Sequence, residues 1–322
     1  MLNSRVLFAV TLTPILWFNG AAIIGTQHTT KPGVSSNGAP QISSLSHRAK
    51  QGDPQAEYQL GSWYLNRTNP PIDYQQAVTW YRKAAEQNYP DAEFALAYMY
   101  EHGEGVNRDY GQARHYYTAA AQQGHATAEN NLGSLYEHGQ GVRKNMRQAA
   151  DWYRKAADQG EVVAQCNLAS LYFRGKGIRR DYVQAATWFR AAAERGYPPA
   201  QENLASMYYA GTGVKQDFSE AASWVRKAAA RGYARAQLDL GYLYEQGRGV
   251  PLDHVAAYMW YKIAAAGGER RALAQLKTLS SVMTKVQIRQ AITAAAELNI
   301  PTTNPSSATS SASVGNSWLP PR

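Results

Sequence analysis

The chain has 322 residues, of which 44% are hydrophobic and 18% are charged, and Cys166 is its one cysteine. A lone cysteine excludes an intramolecular disulfide framework. The formal net charge is +9, yet residues 52–268 hold 23 Lys and Arg against 22 Asp and Glu, so the excess lies outside this central region. No basic and aromatic nucleic-acid motif accompanies the charge, so we predict no nucleic-acid partner.

The first predicted element is an export signal at residues 1–22. Arg5 precedes an apolar run at residues 6–18, and the small residues 20–22 follow. This order is typical of a secretory signal that is cleaved after Ala22, which predicts a periplasmic or secreted protein. The alternative is a retained membrane anchor, although the apolar run is shorter than the ~20 residues that span a bilayer.

Two short segments follow the predicted signal. Residues 23–40 are rich in Thr, Ser, Gly and Pro and are predicted to form a flexible linker. Residues 41–51 match the end of the second helix in the repeats that follow, so we expect an N-terminal capping helix there.

Residues 52–268 contain six copies of a 36-residue unit. Alanine, leucine and tyrosine each recur once per unit, at Ala56, Ala92, Ala128, Ala164, Ala200 and Ala236, at Leu60, Leu96, Leu132, Leu168, Leu204 and Leu240, and at Tyr64, Tyr100, Tyr136, Tyr172, Tyr208 and Tyr244. A strict period of this kind predicts a stack of identical supersecondary units, each of which buries its apolar face against its neighbours.

Each unit is predicted to hold two helices. In the third unit, an apolar stripe of Ala128, Leu132, Leu135 and Tyr136 marks the first helix, and glycines at 139 and 141 end it. The second helix is expected to bury Ala149, Trp152, Tyr153 and Ala156. Its start is predicted as a variant of the reciprocal capping box, in the pairs Asn145/Gln148, Asp73/Gln76, Asp109/Gln112, Asp181/Gln184 and Asp217/Glu220.

The repeated pattern resembles a known family. The order Ala-x-x-x-Leu-Gly-x-x-Tyr-x-x-Gly-x-Gly-Val, followed by Asp-Tyr-x-x-Ala-x-x-Trp-Tyr-x-Lys-Ala-Ala, is similar to the Sel-1-like repeat, a relative of the tetratricopeptide repeat. The resemblance implies an all-α, right-handed α/α solenoid and a role in protein–protein interaction. It also implies that the first helices line a concave groove.

The chain after the sixth repeat is predicted to cap the stack. Residues 269–300 are expected to form capping helices, the last of which begins with a capping box at Thr284 and Gln287. We expect its apolar residues to cover the open end of the stack, namely Val286, Ala291, Ile292, Ala295 and Leu298. Residues 301–322 are too poor in apolar residues to fold and are predicted to be disordered.

A polar strip on the first helices is the first candidate binding site. The position before the repeated leucine holds asparagine in three consecutive repeats, and an amide both donates and accepts hydrogen bonds, as the backbone of an extended peptide requires. Side chains three or four positions apart share this helical face. The candidate groove residues are Asn131, Asn167, Asn203, Ser134, His138, Ser170 and Arg174. Alternatively, the amides satisfy backbone groups between repeats and bind nothing.

A basic loop edge is the second candidate site. Repeats three and four carry a cluster of cations beside their loop glycines, at Arg143, Lys144, Arg147, Lys176, Arg179 and Arg180. The cluster is either a docking edge for an acidic partner or a solvated ridge.

The remaining residues predict no catalytic, metal or cofactor site. His102 and His138 occupy equivalent positions in successive repeats, but no cysteine or carboxylate pair joins them at ligand spacing. Cys166 is expected to be a buried or half-buried passive thiol. We therefore expect a non-enzymatic, exported scaffold that binds a protein or peptide. The alternatives are a cell-envelope enzyme of β-lactamase-like or peptidoglycan-related type and a membrane-tethered adaptor.

Overall fold

The computed structural model describes residues 38–66 and 71–298. The predicted signal at residues 1–22, nearly all of the predicted linker and the predicted tail at residues 301–322 lie outside the described residues. The first helix begins at Gly38 rather than at residue 41.

The described residues form 15 α-helices and no strand. Their bounds are α1 Gly38–Lys50, α2 Pro54–Asn66, α3 Tyr74–Glu86, α4 Pro90–His102, α5 Tyr110–Gln122, α6 Ala126–His138, α7 Met146–Asp158, α8 Val162–Arg174, α9 Tyr182–Glu194, α10 Pro198–Ala210, α11 Phe218–Ala230, α12 Ala234–Gln246, α13 His254–Ala266, α14 Arg271–Ser280 and α15 Lys285–Glu297. The even-numbered helices α2 to α12 are the first helices of the six repeats, and the odd-numbered helices α3 to α13 are the second helices. The predicted all-α repeat fold is thus confirmed.

The described chain divides into two compact units. The N-terminal unit contains residues 38–66, 71–164 and 176–178, and the C-terminal unit contains residues 165–175 and 179–298. In the N-terminal unit each helix from α1 to α7 packs on the next. In the C-terminal unit the same order holds from α9 to α13, and α13 also packs against both α14 and α15.

The residues that recur in the sequence form the core. All six repeated alanines have an exposed fraction of 0%, and no repeated leucine exceeds 3%. A small side chain opposite a large one lets neighbouring helices approach to roughly 8–10 Å between their axes. The repeated tyrosines of the first helices are only half-buried.

The start of each second helix differs from the predicted reciprocal capping box. The side chain of Asn145 or of the equivalent aspartate caps the helix, as in Asp109 Oδ1, which accepts from the Gln112 N–H at 3.0 Å. The reciprocal bond to the cap N–H is missing because that N–H already donates to the repeated tyrosine, as from Asp109 to the Tyr100 carbonyl at 2.8 Å. In α15, both halves of the box at Thr284 and Gln287 are present.

Three of the five tryptophans of the second helices are less buried than expected: Trp80, Trp152 and Trp188 are half-buried, whereas Trp224 and Trp260 are 8% exposed. Tyr153 has an exposed fraction of 1%, whereas Trp152 beside it is half-buried. The ammonium group of Lys155 lies 4.0 Å from the centre of the Trp152 ring. A cation over the ring face stabilises an aromatic side chain at the edge of the core, so Trp152 does not need full burial.

The face that α15 turns to the core also differs from the prediction. Of the five apolar residues expected to cover the stack, Ala291 is fully buried, while Val286, Ile292 and Leu298 are exposed. Met283, which precedes α15, and Ile288 on α15 instead extend the cluster around Leu279, which includes Tyr261 of α13.

Candidate partner-binding surface

In the N-terminal unit, three predicted groove residues lie together on α6. Asn131 and Ser134 are half-buried and His138 is exposed. The Nδ1 atom of His138 lies 2.9 Å from the Ser134 carbonyl oxygen and 3.3 Å from its hydroxyl. The end of α6 therefore presents an imidazole whose orientation is fixed by its own helix.

Asn131 also belongs to a buried hydrogen-bonded chain. Its amide donates to the Tyr117 hydroxyl at 3.0 Å, and that hydroxyl donates to a Glu101 carboxylate oxygen at 2.7 Å. Burial raises the pKa of Glu101, and burial together with the nearby Glu101 charge raises the pKa of Tyr117 well above its ordinary value. Asn131 thus stabilises the core between α5 and α6 through a side-chain partner, rather than through the backbone groups between repeats that the alternative interpretation named.

The predicted groove residues of the C-terminal unit have mixed environments. Asn167 and Arg174 are half-buried, whereas Ser170 is 9% exposed. Asn203 is 7% exposed, and its amide donates to the Pro199 carbonyl in its own helix at 2.9 Å. The three asparagines therefore do not offer three equivalent amides, and the side chains nearest to solvent are those towards the ends of the first helices.

A tyrosine–carboxylate pair connects the two helices of several repeats, which the sequence analysis missed. The bond from Tyr117 to Glu101 recurs from Tyr153 to Glu137 at 2.8 Å and from Tyr261 to Glu245 at 2.5 Å. In repeats four and five, neither the tyrosine nor the glutamate of this pair is kept. The two equivalent positions hold Phe189 and Phe173 in repeat four, and Val225 and Tyr209 in repeat five. This joint change in the sequence was the signal that could have revealed the contact.

A second missed contact connects the start of five of the first helices to the end of a second helix. In the first three repeats a buried glutamate accepts from a glutamine 30 residues later, in the pairs Glu57–Gln87 at 2.7 Å, Glu93–Gln123 at 2.8 Å and Glu129–Gln159 at 2.6 Å. In the C-terminal unit the equivalent Gln201 and Gln237 donate to backbone carbonyls instead. Polar side chains at these buried positions are accordingly structural.

The basic loop edge of the N-terminal unit is exposed. Arg143, Lys144, Arg147 and Lys176 all lie at the surface. Across the part of the chain that the structure describes, none of them is in a salt bridge, and the nearby Asp151 pairs with Arg154. Four cations in one unit are thus available to an anionic partner.

A depression of about 510 Å³ lies at this edge. It lies between the end of α6 and the start of α7. Its lining combines cations with half-buried apolar side chains, and consists of Tyr136, Val142, Arg143, Lys144, Asn145, Met146 and Gln148.

Glycine fixes the shape of this loop. Gly141 has a φ of +63°, and a Cβ atom there would lie 2.8 Å from Tyr110 Cβ and still closer to the Tyr110 carbonyl oxygen. Gly177 meets the Met146 backbone in the same way. Each loop therefore rests directly on the start of the preceding second helix, where a larger residue does not fit.

The two remaining predicted cations, Arg179 and Arg180, are exposed in the C-terminal unit. The Arg180 guanidinium lies 5.4 Å from the centre of the Tyr182 ring. Between them and α9, Asp181 supplies a carboxylate that caps the helix. This loop accordingly has a counter-charge that the loop at Asn145 lacks.

Within the described ranges, no cluster of three or more His, Cys, Asp or Glu side chains could hold a metal ion. Cys166 is a free thiol with an exposed fraction of 1%. His102 stacks on Tyr98 of its own helix, with the two ring centres 3.9 Å apart. Among these residues no helix has both the length and the apolar character needed to cross a bilayer.

Comparisons with known proteins identify the repeat. The family model of the Sel1 repeat matches residues 54–89, 90–125, 126–161, 162–197, 198–233 and 234–269. A solved structure of a protective antigen present in uropathogenic Escherichia coli strains, which displays an SLR fold, is 34% identical with a TM-score of 0.72, and the match covers 80% of this chain and 56% of that one. A Sel1 repeat protein from Oxalobacter formigenes is 35% identical with a TM-score of 0.61, over 70% of this chain and 94% of that one. None of the curated proteins matches.

Proposed function

Because this chain belongs to the Sel1 repeat family, we propose that it is an exported, non-enzymatic scaffold that binds a protein partner. Sel1 repeats generally mediate protein–protein interaction. Export to the periplasm or beyond is proposed from the signal-like order of residues 1–22.

The proposal rests on one observation: the six repeats are identical at certain buried positions and differ from one another at positions that lie at the surface. The repeated alanines are completely buried, whereas the last residue of each first helix differs in chemistry and is half-buried or exposed, as Asn66, His102, His138, Arg174, Ala210 and Gln246. Stacking of repeats needs the identical positions only. The variable positions are therefore available for recognition, and they include His138 and Arg174 of the predicted groove set.

We expect the end of α6 to contribute directly to partner binding. The double variant Ser134→Ala/His138→Ala removes two polar groups and leaves the side chains of Glu101, Tyr117 and Asn131 unchanged. Each lost hydrogen bond should cost ~0.5–1.5 kcal/mol, so the dissociation constant for a partner captured by the native protein should rise about tenfold. Calorimetric titration of the purified pair measures this change.

The matched control is Asp151→Ala/Asp158→Ala, which alters two exposed residues on α7. The control should keep the melting temperature of the natural chain, and the Ser134/His138 variant should stay folded although Ser134 also hydrogen-bonds with the buried Tyr153 hydroxyl. Equal affinity of the natural chain and the Ser134/His138 variant would remove α6 from the binding surface. Asn131→Ala, by contrast, should lower the melting temperature because its amide stabilises the core.

A further inference from the structure

We infer that the depression beside Arg143, Lys144 and Arg147 binds an acidic segment of a partner protein, with carboxylates on the cations and one apolar side chain in the depression. The inference rests on the proposed scaffold function and names the chemistry of one of its surfaces. All the residues involved belong to the N-terminal unit.

The charge of the surface is the first observation. Arg143, Lys144 and Arg147 are exposed, and no described carboxylate forms a salt bridge with any of them. Lys176 adds a fourth cation, because it precedes Gly177, which rests on the Met146 backbone. Cations grouped in this way repel one another, and an anionic partner relieves that repulsion.

The neutral cap of α7 is the second, independent observation. Five other second helices begin with an aspartate cap, at Asp73, Asp109, Asp181, Asp217 and Asp253, whereas α7 begins with Asn145. The amide oxygen of Asn145 accepts from the Arg147 and Gln148 N–H groups at 3.1 Å each, as the aspartates do in their helices. Asparagine and aspartate cap a helix about equally well, although a carboxylate also interacts with the positive end of the helix dipole. Because residue 145 is an asparagine, the loop between α6 and α7 contains no acidic residue.

The shape of the surface indicates an extended peptide with one apolar residue. Half-buried Tyr136, Val142 and Met146 contribute apolar lining to the depression of about 510 Å³ between the cations. Because Gly141 rests on the Tyr110 backbone, the loop is already in place before a partner binds.

A protein partner fits this surface better than a nucleic acid does. The equivalent loop of repeat two, within the same unit, combines Arg108 with Glu104 and Asp109, so the positive charge does not extend to repeat two. A nucleic-acid strand requires a longer basic track that follows its phosphates. A depression whose lining combines Arg143 and Lys144 with half-buried apolar side chains matches a short acidic segment that carries one apolar residue.

The test is fluorescence polarisation of the full chain with a labelled synthetic peptide, Glu-Asp-Leu-Asp-Glu. We expect it to bind more tightly than Gln-Asn-Leu-Asn-Gln and than Glu-Asp-Ser-Asp-Glu, with an affinity that falls as salt is raised. Asn145→Asp should keep the melting temperature and weaken binding about 2- to 5-fold. The triple variant Arg143→Glu/Lys144→Glu/Arg147→Glu should abolish binding.

The matched control reverses three other exposed cations, in Lys50→Glu/Arg114→Glu/Lys215→Glu, and changes the net charge by the same amount. Its affinity should equal that of the natural chain. The inference is overturned if the amide peptide binds equally well, if Asn145→Asp has no effect, or if both triple variants lose binding alike. Displacement of the acidic peptide at 150 mM salt by a single-stranded oligonucleotide or by phosphatidylserine vesicles would assign the surface to that ligand instead. The Ser134/His138 titration tests the scaffold function separately, because it leaves these cations unchanged.

Discussion

Replacing Gly141 with alanine is expected to lower the free energy of unfolding by about 3 kcal/mol or more, whereas replacing Gly124 should cost only about 1–2 kcal/mol. Both glycines have a positive φ, +63° for Gly141 and +81° for Gly124. A Cβ atom at Gly124 meets nothing within 4 Å, whereas one at Gly141 clashes with the backbone of Tyr110. The difference between the two variants therefore measures the close approach of the loop to α5.

Chemical denaturation followed by circular dichroism is the appropriate measurement for this pair. The Gly141→Ala variant should also lose affinity for the acidic peptide, because the displaced loop carries Arg143 and Lys144. Equal losses of stability in the two variants would show that the loop moves away from Tyr110 at no cost, which contradicts the rigid loop that we describe.

Tyr117→Phe is expected to destabilise the N-terminal unit by about 2–3 kcal/mol, because it leaves a buried carboxylate without its hydrogen-bond donor. The other oxygen of Glu101 has no hydrogen-bond partner either, and the amide of Asn131 loses its acceptor. The matched control is Tyr81→Phe in the first repeat, where the hydroxyl meets only the Ser62 hydroxyl at 3.1 Å. That variant should cost about 0.5–1.5 kcal/mol.

Another repeat of the chain indicates a second substitution that should restore the stability lost in Tyr117→Phe. In repeat four, Phe189 and Phe173 occupy the two positions, and Phe173 contacts the Tyr182 ring edge-on at 5.0 Å between centres. Glu101→Phe/Tyr117→Phe copies this arrangement beside Tyr110, and we expect it to recover most of the lost stability. Thermal denaturation that ranks the double variant at or below Tyr117→Phe alone would contradict the equivalence of the polar and nonpolar pairs.

The repeat architecture could be predicted from the sequence because each element has a local cause. Each cap, loop glycine and buried stripe depends on residues within a few positions of each other. The constant 36-residue period then determines that these units form one repeated fold. Of the two bonds expected at each aspartate cap, the one accepted by the side chain is present. The reciprocal bond is absent because the N–H of Asp109 donates to the Tyr100 carbonyl, outside its own helix.

Contacts that join distant side chains could not be predicted in this way. The bond from Gln123 to Glu93 spans 30 residues and depends on how two helices align, which no local pattern encodes. The interior position of Asn203 was missed for a different reason: its amide donates to the Pro199 carbonyl in its own helix and does not face a groove. The half-burial of Trp152, whose ring centre lies 4.0 Å from the Lys155 ammonium, was not predicted either.

The described surface combines rigid support with variable chemistry. The loop at Gly141 and the end of α6 are held by backbone contacts and by a buried polar chain, while the side chains they present are exposed. Such preorganisation reduces the entropy lost on binding, which favours recognition of an extended segment of a partner.

Chemical crosslinking of the native protein in its own cells, followed by mass spectrometry of the linked peptides, tests the scaffold function most directly. We predict that a defined partner protein is linked to residues of the α6 end or of the loop edge, such as Lys144 and Lys176. The links to Lys176 should disappear in the variant Arg143→Glu/Lys144→Glu/Arg147→Glu. They should persist in the control Lys50→Glu/Arg114→Glu/Lys215→Glu. Lys176 is compared because it is unchanged in both variants. Recovery of the chain with links only within itself, or with the same proteins linked equally in both variants, would contradict a protein-binding role for this surface.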